Sequence, residues 1–224
     1  LVQNSSALNG SVTTAGSSIL RMQSGVCFNA VLTVANGFSN LGLIELTNSG
    51  GCGTTSTINV SNGTLVNAPS GTISVLAGDG GPRNLNAQLE NQGTLMVGTG
   101  LTIDKASADH LNSGSINLSG GSLTVTQSGT TPTFTNTGSG SIDISSSRTL
   151  TFSGGTLNYD AGSISGSGTL ALSSATANFT PDFSNTQTAL SLTSSTVNGP
   201  GILTNSTSLT LNGIPGDFDG DGDV

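Results

Sequence analysis

A short block repeats along this chain and limits what it can fold into. Gly, then Ser or Thr, Leu or Ile, any residue and an apolar residue follow one another at Gly71-Thr72-Ile73-Ser74-Val75, Gly93-Thr94-Leu95-Met96-Val97, Gly114-Ser115-Ile116-Asn117-Leu118 and Gly140-Ser141-Ile142-Asp143-Ile144. Related blocks start at Gly121, Gly155 and Gly168. Each alternates polar and apolar residues between turn formers, the pattern of a short strand with one buried face. Asparagine precedes the glycine in many copies, at Asn40, Asn67, Asn91, Asn112, Asn136 and Asn158, at steps of roughly 21 to 27 residues. Beyond Asn158 the register blurs, with Asn178 or Asn185 and then Asn198 as candidates.

A period of this size marks a solenoid, a propeller or an array. Propeller blades need roughly 40 residues for four strands. Leucine-rich repeats need more Leu per copy and usually a helical segment. The pattern therefore predicts an all-β chain, a β-solenoid of about nine coils at ~23 residues each, about 43 Å long at the usual strand spacing. Strands of successive coils pair in parallel, inward Leu, Ile and Val form apolar columns, and the corner asparagines stack from coil to coil. Corner Asn and Gly are expected to take left-handed backbone geometry.

Composition agrees. Gly, Ser, Thr and Asn make up over half of the chain, and charged residues only 7%. A hydrophobic share of 33% suffices for a thin core with regularly spaced Leu, Ile and Val, whereas a disordered chain usually carries more charge and Pro. Four Lys and Arg cannot form the basic stripe that nucleic acid or anionic lipid requires. No apolar run approaches the roughly 18 residues of a membrane span, so neither nucleic-acid binding nor membrane insertion is expected.

The rhythm Leu89-Glu90-Asn91-Gln92-Gly93-Thr94-Leu95 resembles that of the right-handed parallel β-helices of bacterial surface adhesins, the filamentous haemagglutinin-type and autotransporter passenger domains. The resemblance is clear over residues 36–172 and looser in the flanks. It implies a right-handed parallel β-helix and an extracellular or cell-surface location. It also implies a surface glycan as partner or, through the open ends, a homo-oligomer or filament.

Cys27 and Cys52 stand about one coil apart. That spacing puts them at similar angular positions on adjacent coils, where a disulfide is preferred over free thiols. Closing such a loop would stabilise the chain by roughly 3 kcal/mol in the chain-entropy picture.

The C-terminal run Gly216-Asp217-Phe218-Asp219-Gly220-Asp221-Gly222-Asp223 fits the opening of a calcium loop. Asp217, Asp219 and Asp221 would supply carboxylates, Gly222 the sharp turn and Asp223 its backbone carbonyl. These four aspartates account for half of the formal net charge of −8. A solvated acidic tail is the alternative. The motif resembles the first loop of type I dockerin modules or the loops of FG-GAP repeats, which implies calcium as cofactor and, for a dockerin, a cohesin-like partner. The expected organisation is a solenoid over 1–212, with 213–224 a linker and the first part of a calcium loop of a following module.

Signals for enzymatic chemistry are sparse. Asp104, Lys105, Asp109 and His110 concentrate four ionisable groups in one coil, but a turn of polar surface explains them more simply. Glu45, Glu90, Asp143, Asp160 and Asp182 share no common offset, so spacing proposes no retaining or inverting carboxylate pair. Arg21, Arg83 and Arg148 are isolated, and no nucleophile elbow is present. Phe134, Phe152 and Tyr159 are expected in the core. Thr124, Thr126, Thr149 and Thr151 alternate, but Thr-x-Thr does not recur in every coil, which counts against the flat Thr rows that bind ice. The leading expectation is a non-catalytic, adhesin-like structural module of a bacterial surface or secreted protein. The alternative is a carbohydrate-binding or polysaccharide-degrading β-helix attached to a dockerin-like module.

Overall fold

The computed structural model describes residues 1–212. They form a parallel β-solenoid of about nine turns with no helix among the described residues. Every pairing between its strands is parallel, so each strand finds its partners in the coils before and after it.

Three faces wind around one core. The first face stacks Ile19–Ser24, Leu43–Asn48, Thr72–Val75, Thr94–Val97, Ser115–Leu118, Ser141–Ile144 and Ser163–Ser165. A separate pair, Phe183–Ser184 and Leu203–Thr204, follows. In the early coils one long strand spans the second and third faces together: Ala30–Asn40, then Ser56–Asn67, then Arg83–Asn91. Asn4–Leu8 pairs with the first of these. At Arg83–Asn91 the sheet divides. Arg83–Leu85 pairs with Leu101–Asp104 on the second face, and Glu90–Asn91 pairs with Leu111–Asn112 on the third. From there on each coil has three short strands.

The repeated blocks explain the core. Their Leu or Ile falls on one column of the first face, with Ile44, Ile73, Leu95, Ile116, Ile142 and Ile164 in successive register and all buried. Each such side chain contributes roughly 1.5–3 kcal/mol of burial. The polar residue between them points out, so a third of the chain being apolar fills the interior. The blocks do not all belong to one face, however. Gly121 and Gly168 introduce second-face strands, and Gly155 introduces the third-face strand Thr156–Tyr159.

The glycine of the first-face blocks has a steric cause. A side chain at Gly93 or Gly114 would run into the backbone of the coil before it, at Gly71 and Ala68 for the former and at Gln92 and Gly93 for the latter. Stacked coils leave no room for a Cβ there. The asparagines act differently from the expectation. None of the six takes the left-handed backbone conformation, which is found instead at corner residues such as Ser107, Ser174, Gly63 and Gly154. The corner asparagines work through their side chains.

Candidate functional site

Asn40, Asn67, Asn91, Asn112 and Asn136 form a buried ladder, each no more than 1% exposed. Nδ2 of one donates to Oδ1 of the next, at 2.9 Å from Asn40 to Asn67, 2.8 Å from Asn67 to Asn91, 2.8 Å from Asn91 to Asn112 and 2.7 Å from Asn112 to Asn136. The second Nδ2 hydrogen is also placed, as in Asn67 to Thr94 O and Asn91 to Ser115 O. Asn136 ends the series by donating to Gly140 O and Ala161 O.

Asn158 corrects the sequence reading. It pairs in register with Thr135, and Tyr159 takes the ladder position opposite Asn136. A shift of one residue moves a side chain to the other face of a strand, so Asn158 points out. It accepts from Asn178 Nδ2 at 2.8 Å, and Asn178 in turn accepts from Asn198 at 2.9 Å. Inside, Tyr159, Phe179 and Phe183 replace the amides with three rings whose centroids lie 4.8–5.7 Å apart. The Tyr159 hydroxyl donates to Gly162 O, and burial raises its pKa. Two further asparagines are buried at corners, Asn48, outside the series, and Asn185, one of its candidate continuations. Asn48 donates to Gly80 O, and Asn185 pairs with Asn205.

The four ionisable groups of the Asp104–His110 segment do not converge. Asp104 ends a second-face strand and is exposed. Lys105 turns the corner and reaches back two coils, donating to Val60 O at 2.9 Å and Ser61 O at 2.8 Å. Asp109 opens the third-face strand and accepts from the Thr133 hydroxyl at 2.9 Å. His110 points inward and is 2% exposed. Its Nδ1 accepts from the Leu89 backbone N–H at 3.1 Å, and its ring lies 6.3 Å from that of Phe134. Nε2 has no partner among the described residues. Burial lowers the His110 pKa to about 4 against a smaller upward pull from Asp109, so the ring is neutral at pH 7.

Three other carboxylates are bonded from coil to coil, whereas the buried Arg148 Nε has no partner among the described residues. Glu45 pairs with Arg21, Asp160 accepts from Thr180, and Asp182 accepts from the Ile202 N–H. Glu90 accepts from Gln92 two residues on. Arg83 is 1% exposed and meets no carboxylate among its bonded partners. It donates to the carbonyls of Leu76, Ala77, Gly80 and Gly81, which holds the loop before its own strand, and burial lowers its pKa.

Cys27 and Cys52 are bonded to each other, with Cα atoms 5.1 Å apart, and tie two adjacent coils near the N-terminal end. Asp217, Asp219, Asp221 and Asp223 lie outside the described residues, as does the whole segment 213–224. Among the described residues no group of three or more His, Cys, Asp or Glu side chains could hold a metal ion. No described helix is long and apolar enough to cross a membrane.

Two open recesses mark the surface. One, of about 480 Å³, follows the bulged corner of the long strands at Asn36, Phe38, Asn62 and Thr64. The other, of about 490 Å³, lies beside Pro82, Thr99, Thr102 and Thr124 on the second face. Neither is lined by a carboxylate or by a free basic group. Comparison with protein-family models, curated proteins and solved structures returns no match.

Proposed function

We propose that this chain is a non-catalytic structural module, an adhesin-like β-solenoid rod of a bacterial surface or secreted protein. The observation that carries this reading is the use made of its few charged side chains. Lys105, Asp109, Asp160 and Asp182 each bond a neighbouring or next-but-one coil, and Arg83 holds its own loop. General acid–base catalysis needs such groups to converge on a shared space, and these five are engaged separately in holding coils and a loop. The aromatics that would stack on a sugar, Phe134, Phe152, Tyr159 and Phe179, are buried. The disulfide suits an oxidising, extracellular setting. The aspartates at 217–223 serve, in this reading, as a calcium loop of the dockerin or FG-GAP kind.

Incubation with a panel of polysaccharides tests the catalytic point. The expected result is no turnover. Turnover that disappears in Asp104→Ala or Asp109→Ala would replace the proposal with a carbohydrate-active enzyme. Calorimetric titration with calcium tests the loop: heat that is lost on Asp217→Asn with Asp219→Asn supports it, and no heat from the unmodified chain removes it.

A further inference from the structure

The late coils present a regular array on the third face. Thr133 stands opposite Thr156, Thr156 opposite Thr176, and Thr176 opposite Thr196. Two residues along, Thr135, Asn158, Asn178 and Asn198 form a second column in the same register. The residues between the columns, Phe134, Leu157 and Ala177, are buried, so both columns face outward. Hydrogen bonds fix the second column along its length, Asn198 to Asn178 at 2.9 Å, Asn178 to Asn158 at 2.8 Å and Asn158 to the Thr135 hydroxyl at 3.4 Å. Thr133 is bonded to Asp109 at the border of the array. The hydroxyls of Thr156, Thr176 and Thr196 remain for a ligand. One Thr-x-Thr, at Thr133, and three Thr-x-Asn, at Thr156, Thr176 and Thr196, thus follow one another in four successive coils.

This array is uncharged, bonded along its second column and free of exposed aromatics. Its repeat is about 4.8 Å from coil to coil and about 6.6 Å from column to column. An ionic partner finds no countercharge on it, and a sugar ring finds no aromatic face to stack on. A fixed two-dimensional lattice of hydroxyls, amides and methyls is matched by a partner that is itself a lattice of hydrogen-bonding groups at nearly that repeat. Crystalline water is such a partner. Waters held on the columns become part of the crystal, so the usual cost of immobilising them falls away.

We propose that this third face, centred on Thr156, Thr176, Asn158 and Asn178, binds ice. The inference goes beyond the structural role and does not depend on it.

Ice recrystallisation in dilute sucrose tests it with the full chain. The unmodified protein is expected to arrest grain growth, and Ser165→Lys on the first face is expected to retain that activity. Thr176→Lys, which sets a long charged side chain in the middle of the array, is expected to lose it with an unchanged far-ultraviolet circular dichroism spectrum. Should Thr176→Lys unfold, Thr176→Ser keeps the hydroxyl, removes the methyl and is expected to weaken the arrest. Unimpeded grain growth with the unmodified protein, or full activity in a folded Thr176→Lys, overturns the proposal. So does retention of the chain on an insoluble glycan that Thr176→Lys abolishes, because the face would then be a glycan site.

Discussion

The coils before Asn136 and those after it solve the same problem in opposite ways. In the early coils corresponding asparagines are 27, 24, 21 and 24 residues apart. The first of these coils have long strands, one corner bulges between Asn59 and Thr64, and Lys105 reaches across to hold it. Loops of unequal length leave the stacking register open to slippage. A buried amide that must find its counterpart in the next coil closes that freedom, since an orphaned amide in the core is costly. In the late coils the step settles at 20 residues. Equal coils stack in register through their backbones, rings at Tyr159, Phe179 and Phe183 fill the place of the long ladder, and only the pair Asn185 to Asn205 keeps a buried amide. The contrast teaches that a continuous buried ladder of amides accompanies coils of unequal length, while equal coils keep a single buried rung at Asn185.

The sharpest way to break this comparison is to remove one rung from each ladder. Asn91→Ala leaves the buried Asn67, Asn112 and Ser115 groups short of partners. The expected cost is about 3–5 kcal/mol in urea denaturation, against about 1 kcal/mol or less for Asn178→Ala on the exposed ladder. Equal losses would dissolve the distinction.

Reducing the Cys27–Cys52 bond is expected to cost about 3 kcal/mol. Hydrogen exchange should show faster opening in the early coils only, because a solenoid couples mainly to its neighbours; uniform loosening along the chain would contradict this.

His110 adds a pH dependence to the early half. Its pKa falls from 6.5 to about 4 on folding, so between those values the unfolded chain binds the extra proton. Stability is therefore full above about pH 6.5 and declines as pH drops toward 4, by up to about 3 kcal/mol. His110→Phe should remove that slope, and a slope that persists unchanged would assign it elsewhere. Lys105→Met should have the smallest effect, about 1 kcal/mol, with faster exchange confined to the bulged corner at Val60 and Ser61.

Much of the architecture was legible in the sequence because a buried position in a solenoid repeats its chemistry. Ile73, Leu95, Ile116 and Ile142 announce a column, and Asn67, Asn91 and Asn112 a ladder. The misreading of Asn158 has a definite cause. The block at Gly155 is like those at Gly93 and Gly114 in composition but belongs to another face, and only the pairing of Asn158 with Thr135 reveals that its asparagine sits one residue off the ladder. The fate of the ionisable cluster was illegible for a related reason. Asp104, Lys105, Asp109 and His110 are close in sequence, yet a corner and an alternating strand send them to two outer faces, a distant coil and the core. The Thr array of the third face was hidden too, since Thr156, Thr176 and Thr196 stand 20 residues apart and nothing in the sequence says which Thr of each coil faces outward.

The central claim, that a continuous buried ladder of amides locks the early coils, is tested most directly by side-chain amide exchange in nuclear magnetic resonance. The Asn67, Asn91 and Asn112 amide hydrogens are expected to be among the slowest in the chain, and those of Asn178 and Asn198 to exchange rapidly. Similar fast exchange at all five would show that no internal ladder holds the early coils together.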